Sequence, residues 1–99
     1  MRQCGGSSNP KAREVKVHEI KCSARWFSDV LSGRKTFEIR ADDRPFFTGD
    51  TLHLREWNNS AGEYTGRSTC VRVLGIYGFL DLPVGVLTRG FVVMSIERL

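Results

Sequence analysis

Four ionisable side chains, Arg34, Lys35, Glu38 and Arg40, crowd into the stretch Gly33-Arg34-Lys35-Thr36-Phe37-Glu38-Ile39-Arg40. Glu38 and Arg40 are two apart, so an extended strand presents both on one face and turns Phe37 and Ile39 to the other, apolar face. Lys35 falls where a helix is expected to end, a place that favours a cation, and its flexible ammonium can reach back over the strand to Glu38. Two kinds of chemistry fit this set. Lys35, Arg34 and Arg40 could meet phosphate or a base edge while Glu38 orients them or accepts from a base amino group. Alternatively, Lys35 and Glu38 could move protons as a catalytic pair, with Thr36 or Ser32 as the nearby hydroxyl. Thr36 shares the face of Glu38 and Arg40. A purely structural ion-pair lattice pinning helix to strand is the competing reading. Exposed pairs of that kind contribute only about 0–1 kcal/mol, a weak reason to concentrate so many charges here.

Other constellations carry less. His18 and Cys22 are four residues apart, which along a strand is roughly 13 Å and too far for one ion to bridge. His53 belongs to the polar side of a later strand and is expected in solvent, so neither a metal nor a cofactor is predicted. Aromatic residues interleave with basic ones at Arg25-Trp26, Arg44-Pro45-Phe46-Phe47 and Arg55-Glu56-Trp57. Trp26 and one of Phe46 and Phe47 are expected in the core. Trp57, at a strand end beside a polar loop and close to Arg55, is the stacking candidate.

The elements that must position these groups are short. Val15 and Val17 alternate with Lys16 and His18 in a first half-buried strand reaching Ile20 or Lys21. Ser23 then offers a helix N-cap, Cys22 and Phe27 a hydrophobic staple, and Gly33 the left-handed residue that stops a helix. Trp26, Phe27, Val30 and Leu31 form the apolar stripe expected to lie on a sheet. A second strand runs from about Thr36 to Arg40. After the Thr48-Gly49-Asp50 turn, Leu52 and Leu54 alternate with His53 and Arg55 in a third strand up to Trp57. Residues 58–63 form a turn, and Tyr64 to Gly78 make its hairpin partner. Leu80 to Arg89, broken by Pro83 and Gly85, suits a packed loop, and Phe91 to Glu97 closes the fold with Val92, Met94 and Ile96 on one face. The expected class is α+β, mainly β: a small partly closed barrel of five or six strands with one early helix.

Bulk properties bound the function. The chain has 99 residues, 40% hydrophobic and 26% charged, with a net charge of +4. That suits a flexible basic arm over 1–13 and a single folded domain over 14–99 with one modest core. The positive charge tilts the partner question toward polyanions. Cys4, Cys22 and Cys70 show no framework spacing, and no stretch has the apolar length of a membrane span or signal peptide, so a reducing cytoplasmic location and no membrane partner are expected. Asn58-Asn59-Ser60 matches a glycosylation acceptor but is set aside on the same ground.

Together the motifs carry a resemblance. Gly33-x-Lys35-x-x-Glu38-x-Arg40, after a short amphipathic helix and before a Thr48-Gly49-Asp50 turn, resembles the signature of the ASCH domains, PUA-like β-barrels associated with RNA. Leu54-Arg55-Glu56-Trp57, the hairpin Gly62-Glu63-Tyr64-Thr65-Gly66-Arg67 and the terminal Gly90-Phe91-Val92-Val93 are similar to a small bacterial and phage branch of that group, and the likeness spans roughly residues 17 to 97. The resemblance implies that Lys35, Glu38 and Arg40 line a cleft between helix and barrel that binds RNA or a nucleotide or nucleoside ligand; Arg34, Arg55 and Trp57 are the further residues expected to contact that ligand. Some relatives are amidohydrolases of N4-acylated cytidine that use a lysine and a threonine of this strand plus a later glutamate, and others are ribonucleases. Lys35 matches that lysine, Glu38 occupies the threonine's place, and the helical insertion bearing the later glutamate has no counterpart here. The leading expectation is therefore an RNA- or nucleotide-binding module. A small hydrolase using Lys35 and Glu38 is the alternative, and a protein-binding accessory role is a third.

Overall fold

The structure is a computed structural model that describes residues 14–99, so the expected basic arm over 1–13 lies outside the described residues. Five strands and one helix follow in the order β1 (Val17–Ser23), α1 (Ala24–Leu31), β2 (Phe37–Ala41), β3 (Thr51–Asn58), β4 (Glu63–Gly78), a short 3-10 turn (Phe79–Asp81) and β5 (Phe91–Arg98). The strands form one mixed sheet in the order β1-β3-β4-β5-β2, with β1 and β3 parallel and every other pair antiparallel. The sheet curls into a half-barrel, and β1 and β2, adjacent in sequence, become its two free edges.

Local signals set α1. The Ser23 hydroxyl accepts from Arg25 N at 3.3 Å, satisfying one of the donors a helix start leaves open. Gly33 N donates to Val30 O at 3.1 Å with φ at +79°, a left-handed stop that a side chain would strain. Arg98 of β5 donates to Leu31 O, closing the C-terminal end. Eight residues are too few to hold a helix alone. The staple residues Cys22 and Phe27 do so by joining the core, where Phe27 and Val30 pack among Ile20, Leu52, Leu54, Val71, Val73, Val92, Met94 and Ile96. Burying a side chain the size of Phe27 contributes about 1.5–3 kcal/mol.

At the other end, the fully buried Asp50 ties the 42–50 loop to β1. Its carboxylate accepts from Lys16 N at 3.1 Å and Phe47 N at 3.0 Å, and lies 2.9 Å from His18 Nε2. A buried carboxylate needs such partners, and these fix where β3 begins. The β3–β4 turn is held by Asn58, whose side-chain oxygen accepts from the backbone of Ser60 and Ala61.

The helix limits, the third strand, the hairpin and the last strand agree with expectation, and several side-chain orientations do not. On β2, Glu38 is only 3% exposed while Phe37 and Ile39 are 44% and 51% exposed, the reverse of the expected burial. The register explains it: Glu38 and Arg40 pair with the core residues Met94 and Val92, so the charged face points into the half-barrel. On β1 the buried face is His18, Ile20 and Cys22, and Val17 is exposed, because His18 has a buried partner in Asp50. His53 is buried rather than in solvent, with Nδ1 3.6 Å from a Glu19 carboxylate oxygen. Trp26 is 43% exposed and not core, whereas Phe46 is buried and Phe47 exposed. The Leu80 to Arg89 segment begins in the 3-10 turn and is not packed, with Val84 98% exposed. Cys22 is a buried free thiol, and Cys4 lies outside the described residues.

Candidate functional site

The sheet fails to close between β1 and β2, and the charged stretch lies in that seam. Glu38 is its centre. Lys35 Nζ donates to Glu38 Oε1 at 2.7 Å and to the carbonyl of Phe37 at 2.8 Å. Arg40 Nε donates to Glu38 Oε2 at 3.0 Å, and its terminal nitrogen crosses the gap to the carbonyl of Lys21 on β1 at 2.6 Å. Both oxygens of Glu38 are thus engaged by cations, which is what lets a carboxylate sit so deep. The tie from Arg40 to Lys21 stands where a backbone ladder bond would stand in a closed barrel.

Beside this triad is a cavity of about 710 Å³ bounded by β1, α1, the link after it, β2 and the end of β3. Lys35, Glu38, Arg40, Arg34 and Trp57 line it together with Trp26, Phe37, Cys22, Lys21 and Asn59. Three aromatic rings therefore border a space that also holds cations and two carboxylates, the buried Glu38 at its base and Asp29 of α1. The volume is that of a small-ligand pocket. Lys21 Nζ lies 3.8 Å from the centre of the Trp57 ring. Asn59 donates to the Ser23 hydroxyl at 2.8 Å, linking the turn after β3 to the helix cap.

The cations differ in how free they are. Lys35 and Arg40 are committed to Glu38 and to backbone carbonyls, while Arg34 has no ion pair or hydrogen bond among the described residues. Arg34 is thus the guanidinium at the cavity with all its donors available. Burial, reinforced by the nearby Glu38 carboxylate, pushes the Cys22 thiol up to about 11, so it stays protonated and is no nucleophile at neutral pH. The hydroxyls considered as nucleophiles do not line the cavity: Thr36 is exposed, and Ser32 is exposed and donates to Asp29 O at 3.2 Å.

Of the residues singled out from sequence, Lys35, Glu38, Arg40, Arg34 and Trp57 converge on the cavity, and Arg55 does not. Arg55 projects to the solvent side of β3, its guanidinium 3.9 Å from the Tyr64 ring centre. Sequence reasoning missed Trp26, Lys21 and Cys22. A signal for Trp26 was present, since Phe27, Val30 and Leu31 already complete an i, i+3, i+4 stripe without it. Also missed was a second acidic centre outside the cavity: the buried Glu56 accepts from Thr65 Oγ1 at 2.6 Å and from Arg67 at 2.8 Å to each oxygen. The Arg67 hydrogen bonds, followed by that from Thr65, hold the Glu56 carboxyl below its usual range. No group of three or more His, Cys, Asp and Glu residues among the described residues is arranged to hold a metal ion, and none of their helices is long and apolar enough to cross a membrane.

Fold and site together define a mixed β half-barrel with one helix and an aromatic, cation-bordered cavity at its unclosed seam. Residues 17–96 match the model of a family described as a domain of unknown function, DUF3850, and the chain belongs to that family. A protein of Escherichia phage P2, described as an uncharacterised 12.9 kDa protein in the GpA 3′ region, is 41% identical over 67 residues, covering 68% of this chain. The match spans about 60% of that relative's length. The crystal structure of hypothetical protein PH0355 aligns with a TM-score of 0.56 over 86% of this chain and all of that one, at 17% identity, a likeness of fold.

Proposed function

We propose that the protein is a nucleic-acid- or nucleotide-binding module of the PUA-like, ASCH kind, and that the seam cavity receives a nucleobase with its attached phosphate. The observation that carries this reading is the composition of one cavity: the rings of Trp26, Phe37 and Trp57 beside the uncommitted Arg34 and the fixed Lys35–Glu38–Arg40 triad. Rings supply sequence-tolerant stacking, and a free guanidinium matches a phosphate. Lys35 spends two of its three protons on Phe37 O and Glu38, which leaves one to aim at a ligand acceptor. Arg34 is assigned the phosphate, and Lys35 and Arg40 the base edge or sugar.

Titration of the four ribonucleoside monophosphates and of single-stranded and structured RNAs at several salt concentrations tests this. Saturable, salt-weakened binding that falls in Arg34→Ala and Lys35→Ala is expected. Undetectable or salt-independent binding would overturn it. One observation favours a reaction at the same place: the contact of the Lys35 ammonium with a carboxylate at the cavity base, a pair able to pass a proton. A hydrolase reading on these two residues requires product from N4-acetylcytidine or RNA that disappears in Lys35→Ala and Glu38→Gln. Absence of turnover in the unmodified chain would remove it.

A further inference from the structure

We infer that the ligand is a strand and not a single nucleotide, its neighbouring units leaving the cavity over the solvent face formed by Lys21, Arg55, Trp57 and Tyr64. This rests on the nucleotide reading of the cavity and deepens it.

The register argues first. Lys21 of β1 stands directly opposite Arg55 of β3, and Ser23 opposite Trp57 one step further on. Trp57 is in turn opposite Tyr64 of β4, so one continuous patch spans three strands on the face away from the core. Like charges directly opposite one another are destabilising in a sheet. Neither is neutralised: among the described residues, Lys21 and Arg55 have no carboxylate partner. Each instead lies against an aromatic ring, Lys21 at 3.8 Å from Trp57 and Arg55 at 3.9 Å from Tyr64. An anion between the two cations would relieve their repulsion, and a polyanion with flat bases also uses the rings.

Continuity argues second. Lys21 and Trp57 line the cavity, while Arg55 and Tyr64 do not. The rings of Trp57 and Tyr64 meet edge to face with centroids 4.9 Å apart, which extends the aromatic surface out of the cavity onto the sheet. A mononucleotide filling the cavity leaves Arg55 and Tyr64 untouched. A strand places its next phosphate between Lys21 and Arg55 and its next base against Tyr64, the pairing of basic groove and stacking ring used for single-stranded nucleic acid.

The test measures binding of uridine monophosphate and of oligouridylates up to about eight nucleotides, a span within the site sizes of small single-strand binders. Affinity should rise with length by at least about tenfold, the effect of roughly one added stacked base. Tyr64→Ala and Arg55→Gln should remove most of that rise and leave mononucleotide affinity unchanged. Arg55→Lys should restore the salt dependence that Arg55→Gln lowers by about 0.7 in log–log slope, the share of one phosphate on a single strand. An octamer that binds no more tightly than the mononucleotide, or a rise that survives both substitutions, overturns the strand and leaves the cavity reading standing. If neither probe binds, the cavity reading fails, and the strand with it.

Discussion

Replacing Glu38 with leucine isolates what the triad contributes to stability. The carboxylate accepts one hydrogen bond from Lys35 and one from Arg40, and bonds to charged groups are worth about 1.5–3 kcal/mol each, or about 3–6 kcal/mol if both were lost outright. The cations limit that loss. Their side chains keep 16% and 27% exposure, and each retains a backbone carbonyl to donate to, so water and those carbonyls recover roughly half. Glu38→Leu is therefore expected to cost about 1.5–3 kcal/mol, below the 3–5 kcal/mol typical of a fully buried pair that loses one member. Urea unfolding with linear extrapolation measures it, provided the slope stays constant between variants. The triple variant Lys35→Met, Glu38→Leu, Arg40→Met removes every charge at once and should return to within about 1 kcal/mol of the original chain. A single variant costing under about 0.5 kcal/mol would refute the reasoning, because Glu38 would then not be held by its neighbours. If the triple variant is stable yet no longer binds a nucleotide, the triad is there for its ligand.

Other expectations follow from the same geometry. Phe27→Ala should cost about 3–5 kcal/mol and Trp26→Ala under about 1 kcal/mol, so chemical denaturation tells the core ring from the cavity ring; equal costs would place Trp26 in the core after all. Cys22, with its pKa near 11, should resist alkylation in the native chain at neutral to mildly alkaline pH and react on unfolding, as mass spectrometry of its peptide would show. Because that pKa is raised in the folded state, its stabilising share is complete below the unfolded thiol's pKa and disappears as pH climbs toward about 11. Glu56 behaves oppositely. Its folded pKa is depressed, so its share is complete above the unfolded carboxyl's value and is lost as pH falls through the lowered one, and Glu56→Gln should flatten the acid limb of a stability–pH curve. Gly33→Ala should cost about 1–2 kcal/mol from its left-handed backbone alone, since nothing lies within 4 Å of an added Cβ.

The parts of the fold legible in sequence are those set by neighbours along the chain. Ser23, Cys22, Phe27 and Gly33 mark α1 because capping and stapling are local, and Asn58 with Gly62 marks the hairpin for the same reason. Which face of a strand is buried is a different matter. Phe37-Glu38-Ile39-Arg40 alternates equally well either way round, and only the pairing of Glu38 with Met94 on a strand far along the chain decides it. His18 looked polar until Asp50, distant in sequence, gave it a buried partner. The site was legible as a set of residue types, since Lys35, Glu38 and Arg40 do meet. Its other half was less so: the helix stripe leaves Trp26 free, but Lys21 and Cys22 meet Trp57 at the cavity through the parallel pairing of β1 with β3, which no local pattern announces.

An open sheet invites a stranger's strand to add to its free edges. Here side chains occupy those edges: Arg40 is on the carbonyl of Lys21, Lys35 on that of Phe37, and Arg44 reaches toward that of Glu19 at 3.5 Å. Lys35 and Arg40, which border the cavity, therefore also act with Arg44 as gatekeepers against misassembly. Stripping them away leaves two bare, partly apolar borders, so a charge-free variant that folds well in dilute solution is the one to watch for aggregation as its concentration rises.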